Sequence, residues 1–199
     1  MGLDLKKYPI IILSGIAVIV FYCVFTFTSL ALFPPPFSPL TNWLSDLGNS
    51  TYNPNGALFY NLGCILTGAS LFPFFIGLYI WKFNELWNKI LVYINQVIGC
   101  FAGFSLILIG VFSEDFIEPH IFWSNVFFET ILFVLLITPI ALFRHEKFIK
   151  WIAIYGIGVF IIDLIFVFSI NEPILEWFTV FTALGFVALI VYNSKRLRE

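Results

Sequence analysis

The chain has 199 residues, of which 60% are hydrophobic and only 11% are charged, and its mean hydropathy is +0.98. Soluble domains carry about 45 to 50% apolar and about 25% charged residues, so this composition excludes a soluble domain and predicts an integral membrane protein. The formal net charge is −2, and the distribution of the charges along the chain is more informative than their sum.

Six apolar runs are each long enough to cross a membrane as a helix, which takes about 20 residues. The sequence therefore predicts one all-α membrane domain over residues 1–199, a bundle of six transmembrane helices. The predicted spans are about 9–32, 55–81, 89–112, 120–143, 148–169 and 173–193. In the third span, Gly99 and Gly103 lie four residues apart and predict a face that another helix approaches closely.

The charges predict how these spans are oriented. All ten Lys and Arg fall on the side of the two termini, and the opposite side carries acids instead. By the positive-inside rule, both termini of a multi-pass cell-membrane protein are then cytoplasmic. The basic residues are spread over four short segments as this topology requires, so no nucleic-acid partner is expected. The acids of the outer side are Asp46, Glu114, Asp115, Glu118, Glu172 and Glu176.

The first outer loop contains the stretch SPLTNWLSDLG. Ser38 followed by Pro39 is typical of a helix start, and the apolar residues of 40–47 recur at helical spacing. This pattern predicts a short helix over residues 39–47 that lies in the outer interface. Its polar side would present Ser45 and Asp46 to protein or water, and Trp43 would face lipid.

Several polar residues stand in or near the spans. Asp115 and His120 flank the short turn between the third and fourth spans, while Glu129 and Asp163 lie in the outer halves of the fourth and fifth. A carboxylate inside the membrane costs roughly 2.5 to 3.5 kcal/mol, so it indicates either a functional site or a buried pair that fixes helix packing. Helical geometry places Glu129 about opposite His120, so one site contains both only if other helices surround the fourth helix or if the site is elongated.

Three stretches resemble a known family: SPLTNWLSDLG, NPNGALFYNLGCILTG and GVFSEDFIEPH. They are similar to the domain of unknown function 998 family of small prokaryotic membrane proteins, over roughly residues 10–145. The chain departs from the family pattern at Ser113, where the family usually has Pro, and in the short gap from Asp115 to His120. In outline the family is distantly similar to DRAM-like and Sfk-type membrane proteins. The resemblance singles out Ser45, Asp46, Gly48, Pro54, Asn61, Gly63, Gly110, Phe112, Asp115 and His120.

The leading functional prediction is an acid-lined polar pocket at the outer leaflet that binds, or acts on, a lipid or another amphiphile. If the protein is an enzyme, the expected catalytic residues are Asp46, Asp115 and His120, with the histidine as general base; the same three residues are candidate ligands of a divalent cation. No nucleophile motif, phosphate loop or closed metal set names a reaction or a cofactor. The predicted ligand-binding residues are Ser45, Asn61, Asn125, Glu129 and Asp163.

Two alternatives remain open at this point. The first is an ion-coupled or proton-coupled transporter that uses Glu129 and Asp163 as a relay. The second is a structural subunit of a membrane complex, whose partner is another membrane protein or a second copy of the chain. A relay requires polar residues through the inner half of the membrane, where few are found besides Asn95 and Gln96.

Overall fold

The computed structural model describes residues 9–168 and 172–197, and within these ranges the regular structure is entirely helical. Two short 3-10 helices, Ser45–Gly48 and Leu78–Trp81, accompany six long α-helices. The long helices are α1 (Ile10–Leu32), α2 (Ala57–Gly77), α3 (Leu86–Val111), α4 (Ile117–Leu142), α5 (Lys150–Phe168) and α6 (Pro173–Arg196).

All six helices are long and apolar enough to cross a membrane, with α2 continuing through its 3-10 turn to Trp81. This confirms the all-α fold and the six predicted spans. Many large apolar side chains on the outside of the bundle are exposed, such as Val97 at 70% and Ile154 at 72%. Such apolar surfaces suit contact with lipid. A helix can face lipid because its backbone polar groups are bonded within the helix. The chain is a multi-pass membrane protein.

The helices form a closed ring. Each one packs against the next along the chain, and α6 packs against α1. Helices α2 and α3 approach each other closely, and a Cβ added to Gly68 would lie 2.5 Å from the carbonyl oxygen of Gly103. Only glycine permits this distance, as the small-residue face of α3 predicts.

One end of the ring is fixed by buried polar side chains. The indole Nε1–H of Trp81 donates to Ser194 Oγ at 3.0 Å, and Asn88 Nδ2 donates to the Ala141 carbonyl at 2.8 Å. These bonds stabilise this end, because a buried donor without an acceptor would cost free energy. We call this end, where α6 ends, the basic end, and the opposite end, where α6 begins, the acidic end.

The interfacial helix predicted over residues 39–47 is not formed. Residues 39–41 form a turn, and only Ser45–Gly48 is helical, as a 3-10 turn. Two backbone N–H groups that an α-helix would use are bonded to carboxylates instead. Trp43 N–H donates to Asp46 Oδ2 at 3.1 Å, and Leu44 N–H donates to Glu176 Oε2 at 2.7 Å. Neither amide can then bond a carbonyl four residues earlier.

Candidate functional site

A polar pocket of about 630 Å³ opens at the acidic end, between α4 and the facing ends of α5 and α6, beneath the first loop. Among the described residues, its lining contains three glutamates, one histidine and five aromatic rings from Trp, Tyr and Phe, and it includes no Lys or Arg. The lining residues are Trp43, Ser45, Asn49, Tyr52, Glu114, Ile117, His120, Ile121, Ser124, Asn125, Phe128, Glu129, Phe166, Val167, Phe168 and Glu176.

A second, narrower cavity of about 90 Å³ lies inside the ring and extends towards the basic end. Its walls come from α1, α2, α3, α4 and α6 and are mostly apolar, with Leu71, Leu106 and Val187 as examples. We call it the apolar cavity. Both cavities share five lining residues and therefore adjoin. The shared residues are Ser45, His120, Ser124, Phe128 and Glu176.

The first loop is held over the polar pocket by α6. Glu176, which is 8% exposed, accepts the Leu44 N–H, and the indole of Trp177 donates to the Asn42 carbonyl at 3.1 Å. Acids are common in the first turn of a helix, where the macrodipole favours them. Here the acid also receives a backbone donor from the loop, so α6 and the loop are joined at the mouth of the site.

A buried asparagine ties the same loop to α1. Asn53 is 0% exposed, and its Nδ2 donates to the Ser29 carbonyl, to Ser29 Oγ and to the Leu47 carbonyl at 2.9 to 3.2 Å. Its Oδ1 accepts a hydrogen bond from the N–H of Gly56, the residue directly before α2, at 3.1 Å. One side chain therefore fixes the positions of α1, the 3-10 helix and the start of α2.

His120 is 6% exposed and lines both cavities. Its Nδ1 lies 2.9 Å from the carbonyl oxygen of Phe112. A carbonyl only accepts, so Nδ1 carries the proton, and Nε2 of the neutral ring is an acceptor. The backbone of Ile109 also lies close to the ring.

Glu114 lies in the turn between α3 and α4, beside Asp46 and Asn49. Burial raises the pKa of its carboxyl from an ordinary 4.5 to about 7, and the negative charge of Asp46 acts in the same direction. Its Oε2 is buried and has no hydrogen-bond partner in the part of the chain that is described. Glu114 thus places one buried carboxyl oxygen, without a partner among the described residues, in the wall of the polar pocket, beside Asp46 and Asn49.

The three predicted catalytic residues are near the acidic end, but their hydrogen bonds do not join them. Asp46 accepts from Asn42 Nδ2 at 3.0 Å and from a loop amide, which shapes the first loop. Asp115 accepts from the amide and hydroxyl of Ser50, both at 2.9 Å, and from Ser113 Oγ. Over residues 9–168 and 172–197, no three His, Cys, Asp or Glu are placed to hold a metal ion.

The predicted ligand-binding residues divide into two groups. Ser45, Asn125 and Glu129 line the polar pocket, which extends far enough along α4 to include both His120 and Glu129. Asn61 lies outside both cavities, and its Nδ2 donates to the Gly48 carbonyl at 3.0 Å. A Cβ on Gly48 would clash with that amide and would lie 2.9 Å from the Tyr60 ring, so Asn61 and Gly48 pack as one unit.

Asp163 also lies outside both cavities. Its side chain is 1% exposed and lies beside Thr179, where α5 faces α6. Neither of its carboxyl oxygens has a hydrogen-bond partner among the described residues. Glu129, its predicted relay partner, is exposed. The two carboxyls therefore occupy different environments.

Sequence reasoning did not assign Glu114, Ser124 or Glu176 to the site. A usable signal existed for Ser124, which follows His120 by four residues and so shares its helix face. Glu176 gave no such signal, because its partner Leu44 is 132 residues away.

The comparisons with known proteins give a family and no activity. The family described as "Protein of unknown function (DUF998)" matches residues 16–192, further towards the C-terminus than the three motifs reach. No curated protein and no solved structure matches the chain. Since the family match covers most of the sequence, the chain belongs to the DUF998 family of proteins of unknown function.

Proposed function

We propose that this protein binds a lipid or another amphiphile at the acidic end of its helix ring. The observation that supports this proposal best is the junction of the two cavities: a polar pocket with charged walls adjoins an apolar cavity, and five residues line both. A molecule with one polar and one hydrocarbon end fits this arrangement. Its head occupies the polar pocket, and its chain passes Ser124 and Phe128 into the ring.

The two cavities differ in size. The polar pocket, at about 630 Å³, falls within the range of about 300 to 1,000 Å³ that small-molecule sites occupy. The apolar cavity is smaller, at about 90 Å³, so its walls must move apart to admit a long hydrocarbon chain.

The charge distribution sets the expected location of the site. With both termini in the cytoplasm, the acidic end faces outwards, and the polar pocket opens at the level of the outer-leaflet headgroups. A lipid would then enter from the outer leaflet. The predicted catalytic carboxylates already accept loop and side-chain donors, which favours binding over a reaction as the role of this site.

The proposal is tested by photolabelling of the purified chain in dodecyl maltoside micelles. Three probes share a dodecyl chain that carries a diazirine near its end, and they differ only in the head: maltoside, trimethylammonium or phosphate. Mass spectrometry locates the labelled residues. We expect at least one probe to label residues that line the apolar cavity, such as Leu135 and Thr138 in α4 and Val187 in α6.

Ser124→Trp provides the blocking variant, because Ser124 lines the junction. Its matched control is Phe133→Trp, on the same helix but 56% exposed on the outside. Labelling of the cavity should be lost in the first variant and kept in the second. If all three probes label only outward-facing residues such as Phe133 in the unmodified protein, the proposed function is wrong.

A further inference from the structure

We propose that the polar pocket selects an organic ammonium headgroup and discriminates against an anionic one. This inference rests on the proposed function and names the chemical class of its ligand. It follows from the acidic and aromatic side chains that line the pocket.

The described residues that line this pocket include no Lys or Arg, the side chains that bind a phosphate or a carboxylate most strongly. The loop amides around it are bonded to acidic or amide side chains: Leu44 N–H to Glu176, Ser50 N–H to Asp115, and Tyr52 N–H to Asn49 Oδ1 at 3.1 Å. The loop therefore offers an anion few free backbone donors.

Acidic side chains are prominent among the polar groups of the pocket. Glu114, which lies beside Asn49 and Asp46, has a buried Oε2 without a partner among the described residues, and Glu129 is exposed. A ligand that donates hydrogen bonds or carries positive charge satisfies these groups, whereas an anionic ligand adds repulsion.

Aromatic rings favour a cation within that class of ligands. Five rings line the pocket, and they belong to Trp43, Tyr52, Phe128, Phe166 and Phe168. Aromatic faces attract ammonium groups through the ring quadrupole, and cages of such rings recognise quaternary ammonium ligands. Carboxylates and rings together thus provide the charge and the desolvated walls that an alkylammonium head requires.

The three photoprobes test this inference directly, because their chains are identical. We expect the trimethylammonium probe to label the apolar cavity at about tenfold lower concentration than the maltoside or phosphate probe. Glu129→Gln should raise the concentration that the ammonium probe needs by about fivefold to tenfold, with little effect on the maltoside probe. The control is Glu172→Gln, which removes an exposed charge at the same end, outside the pocket lining.

Free tetramethylammonium distinguishes the source of the ligand. If the site binds a lipid head, the soluble cation should compete only at far higher concentration than the dodecyl compound. Competition at equal concentration would mean that a small soluble amine is the ligand, and the lipid part of the inference would be wrong. Equal labelling by the phosphate and trimethylammonium probes would overturn the charge selectivity and leave amphiphile binding intact. If none of the three probes labels the apolar cavity, the proposed function itself is wrong.

Discussion

The bond between Glu176 and the first loop determines whether the polar pocket keeps its shape, and removing it has a calculable effect. Leu44 is 0% exposed, and its N–H donates to Glu176 Oε2 at 2.7 Å. In Glu176→Ala this buried donor loses its acceptor, which costs about 1 to 3 kcal/mol. A loss of about 2 kcal/mol in the free energy of local opening corresponds to about 30-fold faster exchange of the Leu44 amide.

Hydrogen exchange with mass spectrometry on peptides that cover residues 40–48 measures this change. Glu176→Gln keeps an oxygen acceptor, so its effect should be severalfold smaller, and it reports on the bond even if the alanine variant is poorly folded. Glu172→Ala is the control, because that side chain is exposed and caps no amide. If Glu176→Ala folds and the Leu44 amide exchanges at the wild-type rate, the loop is not held by this bond.

Four further changes test other parts of the structure. Asn53→Ala should lower the Tm by several degrees, because it removes the buried hydrogen bonds from this side chain to α1 and to the loop; the exposed Asn55→Ala should not. Gly68→Ala should destabilise the protein through its clash with the α3 backbone, whereas Gly158→Ala, with open space around it, should leave the Tm unchanged or raise it. Between pH of about 4.5 and about 7, the folded protein retains a proton on Glu114 that the unfolded chain has lost, so stability should fall as the pH rises through this range. Glu114→Gln should flatten this part of the profile of Tm against pH. An unchanged slope would contradict the raised pKa of Glu114. Single cysteines in place of Thr51 and Glu146, in a chain without its native cysteines, should react from opposite sides of the membrane, and reaction from one side would refute the orientation.

The fold was predictable because membrane spans are encoded locally. Each span needs only its own apolar length, and the six predicted spans agree with the helices to within a few residues. The Gly99 and Gly103 face was readable for the same reason, since it depends on residues four apart. The helix predicted over residues 39–47 was wrong because the side chains that break it are outside the apolar pattern. One of them, Glu176, belongs to another helix.

The site was predictable only in part, and the missing part depends on long-range contacts. The predicted residues Ser45, His120, Asn125 and Glu129 line the polar pocket, which extends along α4 far enough to include both His120 and Glu129. Asn61 stands at the right depth, but a bond to the Gly48 carbonyl occupies its amide. Nothing in the local sequence distinguishes an amide that binds a ligand from one that holds a loop, because the difference lies in which backbone group packs against it.

The central claim is that an amphiphile lies across the junction of the two cavities. An experimental structure of the chain in a lipid bilayer tests it most directly. The bilayer is supplemented with a dodecyltrimethylammonium compound that carries bromine at the end of its chain. Continuous density should run from the polar pocket past Ser124, with bromine inside the ring near Val134. An empty ring with ordered density only on the outer faces of the helices would contradict it.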